Sequence, residues 1–415
     1  MRRGADMIAI GVGLLLAVVV RVALLPTDGL RGDLDQFVLW VHGLATRPFG
    51  NAYDQNLSFP PVMVYVWGLL AALEPAFRTV TDAADPAIRA IMKAPASLAD
   101  IAIGLLVFWE LRDRTRWAVV AGLGILLHPA VIDVSAWWGQ YESIYVLFGL
   151  VAFMLAVRGH SLPAAAVLSV ALMTKPQALP FLVPFAAWFL ARGGIRRAVP
   201  AGIVGAAVVA MLWLPFVAAG GPAAYARNLS EYQGDIFAIL SLRAWNMWWL
   251  IQEAWGGGQF LSDQTAIVGP LTLRHIGFIV TGLLELVVFI LVYRRPTART
   301  LALGLAGAVL VAFSFLTTMH ERYAYAAIVF LALGISDRPI LGLWIAFSIV
   351  FTLNLLAAVP PTDQIGARLP VNGPLGIVGS VAMLAITIAV VLILARSTRD
   401  GDANGEPDEA SVASP

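Results

Sequence analysis

Long apolar runs, broken by short polar clusters, dominate the chain. Helical spans are predicted near 7–25, 91–111, 117–133, 141–157, 162–174, 178–191, 198–217, 274–293, 300–316, 323–336, 339–358 and 374–395. A helix crosses a bilayer core with about 20 apolar residues, or fewer where neighbours shelter it. The runs do not alternate apolar with polar positions, which sets a transmembrane barrel aside. The pattern therefore predicts an all-α polytopic membrane protein, a bundle of about 12 transmembrane helices. The segment 60–74 is apolar but short and lies between polar stretches, so it reads as an interfacial or re-entrant helix. The start, Met1-Arg2-Arg3 and then an apolar run, could pass for a signal peptide. No convincing small-residue cleavage site precedes Pro26, so it is read as a retained first helix. The end, 397–415, is polar, acidic and contains Pro and Gly, and is expected to be a disordered tail.

Arginine placement orients the bundle. If 60–74 does not cross, one side collects Arg2, Arg3, Arg112, Arg114, Arg116, Arg158, Arg192, Arg196, Arg197, Arg294, Arg295, Arg299, Arg338, Arg396 and Arg399. Such clusters at helix ends mark the cytoplasmic side. Both termini are then cytoplasmic, and residues 1–396 form one transmembrane domain. Its outer loops are 26–90, 218–273 and 359–373, the first of them large and holding non-spanning interfacial helices. The lysines, Lys93 and Lys175, fall on the outer side against this bias, as do Arg243, Arg274 and Arg322. For Arg274, scattered surface charge is explanation enough. Lys175 sits within the apolar stretch VALMTKPQALPFLV, where an ionisable group is functional by default.

Composition narrows the chemistry. Charged residues make up 13%, against about a quarter in soluble chains. A net charge of +1 gives no reason to expect nucleic acid as a partner. The chain has no cysteine, which excludes disulfides, zinc thiolates and cysteine nucleophiles. It also lacks a Walker A loop, an HExxH pair and a dinucleotide fingerprint, so no nucleotide is implied.

Five polar groups share the outer side in this topology. After the first span, RGDLDQFVLW reads as an acidic loop with Asp33, Asp35, Gln36 and Trp40, followed by Tyr53 and Asp54. DVSAWWGQYES brings Asp133, Trp137, Trp138, Gln140, Tyr141 and Glu142. TKPQ brings Lys175 and Gln177. LSLRAWNMWWL brings Arg243, Asn246 and Trp248, and TTMHERYAY brings His320, Glu321, Arg322 and Tyr323. A carboxylate near the membrane surface suits a general base for an acceptor hydroxyl. Lys175, His320 and Arg322 suit a phosphate and the charge that develops as it leaves. Each item has a blander reading. Tryptophans anchor helices at interfaces. Asp-x-Asp is common in loops, Glu321 and Arg322 can form a structural ion pair, and Pro60-Pro61 can simply start a helix. Asp100 and Glu285 can pair or bond backbone within the bundle. The case for a site is the conjunction.

The motifs resemble those of the GT-C superfamily, integral membrane glycosyltransferases that use polyprenyl-phosphate sugars. The likeness is to the dolichyl-phosphate-glucose-dependent glucosyltransferases of N-glycan assembly and their bacterial mannosyltransferase-like relatives. It is carried by Gly32-Asp33, Asp35 and Trp40; Phe59-Pro60-Pro61-Val62; Lys93 and Asp100; His128-Pro129; Gly139-Gln140-Tyr141-Glu142; Lys175-Pro176-Gln177; Asn246-x-Trp248; and His320-Glu321-Arg322-Tyr323. These follow the family order from about residue 30 to 335. Phe59 stands for a Tyr, Val62 for a Leu, and 139–142 fits loosely. The resemblance implies an inverting hexose or pentose transfer, by a mannosyl- or glucosyltransferase of the cell envelope, on the outer face of the cytoplasmic membrane. It implies Asp33 as base, Asp35 as the alternative base or an orienting group, and Lys175, His320 and Arg322 on the donor phosphate. Trp40, Tyr53, Gln140, Glu142, Gln177, Arg243, Asn246, Glu321 and Tyr323 are the candidate substrate-binding residues. The implied partners are a polyprenyl-phosphate sugar donor, a lipid, glycan or protein acceptor, and membrane lipids. No cofactor is expected, and a divalent cation at Asp35 is not favoured. Two other readings stay open: a flippase or transporter of lipid-linked saccharides, and a polymerase or ligase using a polyprenyl-pyrophosphate donor.

Overall fold

The first apolar run forms α1 (Arg2–Leu24). The computed structural model describes residues 2–113, 115–231 and 237–404 and is 77% helical. Among these residues, eight helical stretches are long and apolar enough to span a membrane: Gly4–Leu24, Pro86–Leu111, Ala118–Trp138, Pro176–Val217, Leu273–Arg294, Ala298–Phe315, Arg338–Ala358 and Pro374–Thr398. The protein is a multi-pass membrane protein by this measure.

The acidic segment after α1 is not a loop. Leu34, Phe37, Val38, Val41 and Leu44 recur at helical spacing, and all are buried. Arg31–Thr46 is accordingly a helix, α2. The cluster of polar residues in its first turn masked this periodicity. A short 3-10 turn (Phe49–Asp54) follows, and Pro60 and Pro61 start α3 (Pro61–Leu73), as proline does in a first turn. With 13 residues, α3 is about 20 Å long, short of a core about 30 Å thick.

Next come α4 (Pro86–Leu111), α5 (Ala118–Leu126) and α6 (Pro129–Ile132). A π-helical segment, Asp133–Trp138, continues α6 and ends at Gly139, whose φ of 92° lies in the left-handed region. Then come α7 (Glu142–Val157), α8 (Ser161–Leu172), a 3-10 turn (Pro176–Phe181) and α9 (Leu182–Val217). At Gly194 α9 breaks, with φ 58° and ψ −162°, a conformation close to glycine-only. Two spans were expected there, 178–191 and 198–217, and the break falls between them.

The region 218–273 holds α10 (Gly221–Glu231), strand β1 (Ser241–Leu242), α11 (Met247–Gly256) and a hairpin of β2 (Ala266–Val268) and β3 (Leu271–Thr272). It leads into α12 (Leu273–Arg294) and α13 (Ala298–Phe315). Strand β4 (Met319–His320) pairs in parallel with β1, so the ladder ties the region 218–273 to the HERY segment. After α14 (Tyr325–Ala332), α15 (Arg338–Ala358) and the short α16 (Asp363–Arg368), the described chain ends in α17 (Pro374–Asn404). The helix thus continues past Arg396, where the tail was expected to begin, and 405–415 lie outside the described residues, as does Arg114.

Two large apolar clusters, with two small ones around Trp248 and around Trp245 and Trp249, hold this together. The larger gathers α4 to α9 with α13, α14, α15 and α17. The second joins α2, α3 and α4 through Phe37, Trp40, Met63, Trp67 and Met92, with Tyr141 packed among them. Inside the bundle, Asp100 pairs with Arg21 at 3.3 Å and accepts from Tyr325 at 2.6 Å and from Ser135. This network fastens the π-helical segment to α1, α4 and α14.

Candidate active site

On α2, residues two apart point about 200° away from each other. Asp33 and Asp35 therefore face different surroundings. Asp33 faces a cavity of about 190 Å³, lined also by Gln36, Phe37, Trp40, Ser58, Phe59, Gln140, Lys175, Gln177, His320, Arg322 and Tyr323. Asp35 is outside it. Its Oδ1 accepts from the Ala83 backbone N–H at 2.8 Å and from Arg31 at 3.1 Å, so it clasps the loop before α4 onto α2.

The Asp33 carboxylate is held through one oxygen. Oδ2 accepts from Trp138 Nε1 at 2.9 Å and from Gln140 Nε2 at 2.5 Å. Both donors flank Gly139, so the left-handed turn there sets their direction. The other end of the Gln140 amide, Oε1, accepts from Lys175 Nζ at 3.5 Å. One amide thus bridges the carboxylate and the buried lysine.

Behind the cavity wall, Glu142 accepts from Lys175 at 2.5 Å and lies 3.3 Å from Arg322 Nε. Arg322 also bonds Glu321 at 3.0 Å and reaches His320 Nδ1 at 3.2 Å. Its guanidinium lies 4.8 Å over the Trp138 ring, while Lys175 lies 5.5 Å from Phe59 and 5.9 Å from Tyr323. Such stacking holds cations against aromatic faces. Burial pushes the Lys175 ammonium down, with Glu142 opposing. Burial and the neighbouring Arg322 hold the His320 imidazole below its ordinary value, against the pull of Glu321. Burial would push the Glu321 carboxyl up, but His320 and Arg322 keep it low.

Of the residues singled out in the sequence, Asp33, Trp40, Gln140, Lys175, Gln177, His320, Arg322 and Tyr323 line the cavity, with Glu142 and Glu321 directly behind. Tyr53, Arg243 and Asn246 do not line it. Tyr53 donates to the Phe59 carbonyl at 3.0 Å among Trp213, Phe216 and Tyr225. Arg243 donates to the Ala358 carbonyl, and its φ of 63° marks the bend after β1. Asn246 caps α11 at Trp249 and bonds the Phe313 carbonyl. Ser58, Leu229 and Phe237 complete the lining, and no polar pattern had marked them. Trp138, one of an apparent anchoring pair, proves to be a partner of the key carboxylate.

A second hollow of about 490 Å³ shares Pro176, Gln177, Leu229, Phe237, His320 and Tyr323 with the first. It runs along α12 and α13 past Phe278, Val309, Ala312, Phe313 and Leu316, so it is largely apolar. Its polar lining within α12 is Arg274, Thr281 and Glu285, and the side-chain oxygens of Thr281 and Glu285 have no hydrogen-bond partner among the described residues. For Glu285 the blander reading was a pair or a backbone bond within the bundle; it lines this groove instead. The arrangement can hold an amphiphile: a charged polar head against Lys175, His320 and Arg322, and a chain along the groove. No protein-family model matches the chain, and no curated protein matches it.

Proposed function

We propose that the protein is an inverting glycosyltransferase of the outer face of the cytoplasmic membrane, with a GT-C-like bundle of about 12 spans. The donor is a sugar on a polyprenyl phosphate, and the acceptor is a hydroxyl on a lipid, glycan or protein. The observation that supports this most is the cavity itself: a carboxylate faces two buried cations and an imidazole, and the space opens into an apolar groove. That combination suits a lipid-linked phosphate better than a free sugar, which has no use for the groove.

In this reading the Asp33 carboxylate takes the proton of the acceptor hydroxyl. The acceptor oxygen bonds to the anomeric carbon as the bond from that carbon to the phosphate oxygen breaks. The bonding electrons leave with the phosphate, and Lys175, Arg322 and His320 offset the charge that appears there. Trp138 and Gln140 hold the carboxylate in place from one oxygen, which leaves Oδ1 for the acceptor.

The test is transfer by the purified protein from a panel of radiolabelled polyprenyl-phosphate sugars to a membrane-lipid extract. Wild type is expected to transfer, and Asp33→Asn to bind donor but lose about 10²- to 10⁴-fold in rate. Undiminished transfer by Asp33→Asn rules out the assigned base.

A further inference from the structure

The ionised groups of the cavity do not balance for the ligand just proposed. Asp33, Glu142 and Glu321 supply three carboxylates, and Lys175 and Arg322 two cations. Both cations are already engaged, Lys175 with Glu142 at 2.5 Å and Arg322 with Glu321 at 3.0 Å. A phosphodiester brings another negative charge. An uncompensated buried charge is costly, and uptake of a proton removes that cost.

His320 is the group placed to take the proton. It sits where the polar cavity meets the apolar groove. Its Nδ1 lies 3.2 Å from Arg322 Nη1 and 3.8 Å from Glu321 Oε2. A guanidinium only donates, so Nδ1 is unprotonated while Arg322 stands there. Once Arg322 turns to a phosphate, Nδ1 loses that donor and keeps the Glu321 carboxylate, an acceptor, as neighbour. The other groups facing the ring are Phe237 and Tyr323, with ring centroids at 5.3 and 5.1 Å, and Asp33 across the cavity. Lys175 shares the cavity, Glu142 sits behind Arg322, Asp133 lies near Glu321, and Arg274 lines the groove side.

We propose that binding of the lipid-phosphate donor takes up one proton at His320, which changes from an acceptor for Arg322 into a donor toward Glu321. Both ring nitrogens then donate, and Nε2 is available to the phosphate. The imidazolium also offsets the second negative charge that the phosphate acquires when the sugar leaves. This rests on the phosphate-binding reading above. Before the donor arrives, burial and Arg322 keep the ring neutral, and the phosphate reverses that balance. The sign follows by linkage. A state that binds an extra proton is favoured as pH falls, so affinity weakens with rising pH, by at most about tenfold per unit.

Titration calorimetry of the full-length protein with methyl farnesyl phosphate, a diester of single fixed charge, reads this directly. Binding enthalpies near neutral pH, compared in buffers of different ionisation enthalpy, give the protons taken up. The expected value for wild type is about one per ligand, falling to near zero in His320→Gln, whose affinity no longer varies with pH. Binding by wild type without proton uptake overturns the coupling and leaves the phosphate site standing. Uptake that persists in His320→Gln also overturns it, since another group then holds the proton. Failure of wild type to bind the diester at all sinks the phosphate site and the coupling together.

Discussion

Asp33 and Asp35 are the same residue type two positions apart, and the helix gives them different work. Asp33 holds a cavity position through Trp138 and Gln140, while Asp35 bonds the Ala83 N–H and Arg31 at the surface of α2. Asp35→Asn is therefore expected to change transfer by less than about threefold, because it touches nothing in the cavity. A steady-state rate comparison with wild type checks this, and a large loss would bring Asp35 back as a base. An ionisable group in an apolar stretch was enough to nominate Lys175, while Asp33, His320 and Arg322 were nominated by the polar clusters in which they stand. Asp33 was preferred to Asp35 only through the motif resemblance; residue type alone did not separate them, since their segment was read as a loop and a loop gives no angle between side chains. Nor did it separate Arg243 and Asn246 from the site. Both serve backbone carbonyls, and backbone partners leave no mark in a sequence.

At the scale of elements, the π-helical segment Asp133–Trp138 and the turn at Gly139 do the positioning. Ser135 ties the segment to Asp100, and Asp100 to Arg21 and Tyr325. The turn then presents Trp138 and Gln140 to one carboxylate oxygen. Gly139 has φ 92°, and a Cβ there would crowd Leu34 and Lys93. Gly139→Ala is expected to cost about 1–2 kcal/mol from the left-handed conformation alone, and to lower transfer more than donor affinity. Thermal unfolding and donor titration separate the two effects; an unchanged rate would mean that the turn does not set the carboxylate. The sequence marked this element only by its aromatic pair. A π turn has no propensity signature of its own, and what stabilises this one is a partner some 35 residues upstream, Asp100.

Across the whole molecule, eight helical stretches have the length to cross alone, and the span expected at 323–336 holds only a 3-10 turn and the eight-residue α14. Length was legible because twenty apolar residues in a row leave few alternatives. The shorter helices α7 and α8 depend on neighbours for shelter, and their crossing is inferred from the arginine clusters. The chain's lack of cysteine makes that inference easy to check. Single cysteines at Thr79 and His160, both exposed, should differ in intact cells: the first reacts with an impermeant maleimide and the second only after lysis. The opposite pattern would invert the bundle and put the cavity on the cytoplasmic side. One comparison tests the proposed function most directly, however, and it predicts a clear difference: sugar transfer from polyprenyl-phosphate donors by wild type and by Asp33→Asn. Transfer by wild type, with donor binding kept and turnover lost in the variant, is the result it predicts. Equal transfer by both, or a wild type that neither transfers sugar nor binds any donor, would contradict it.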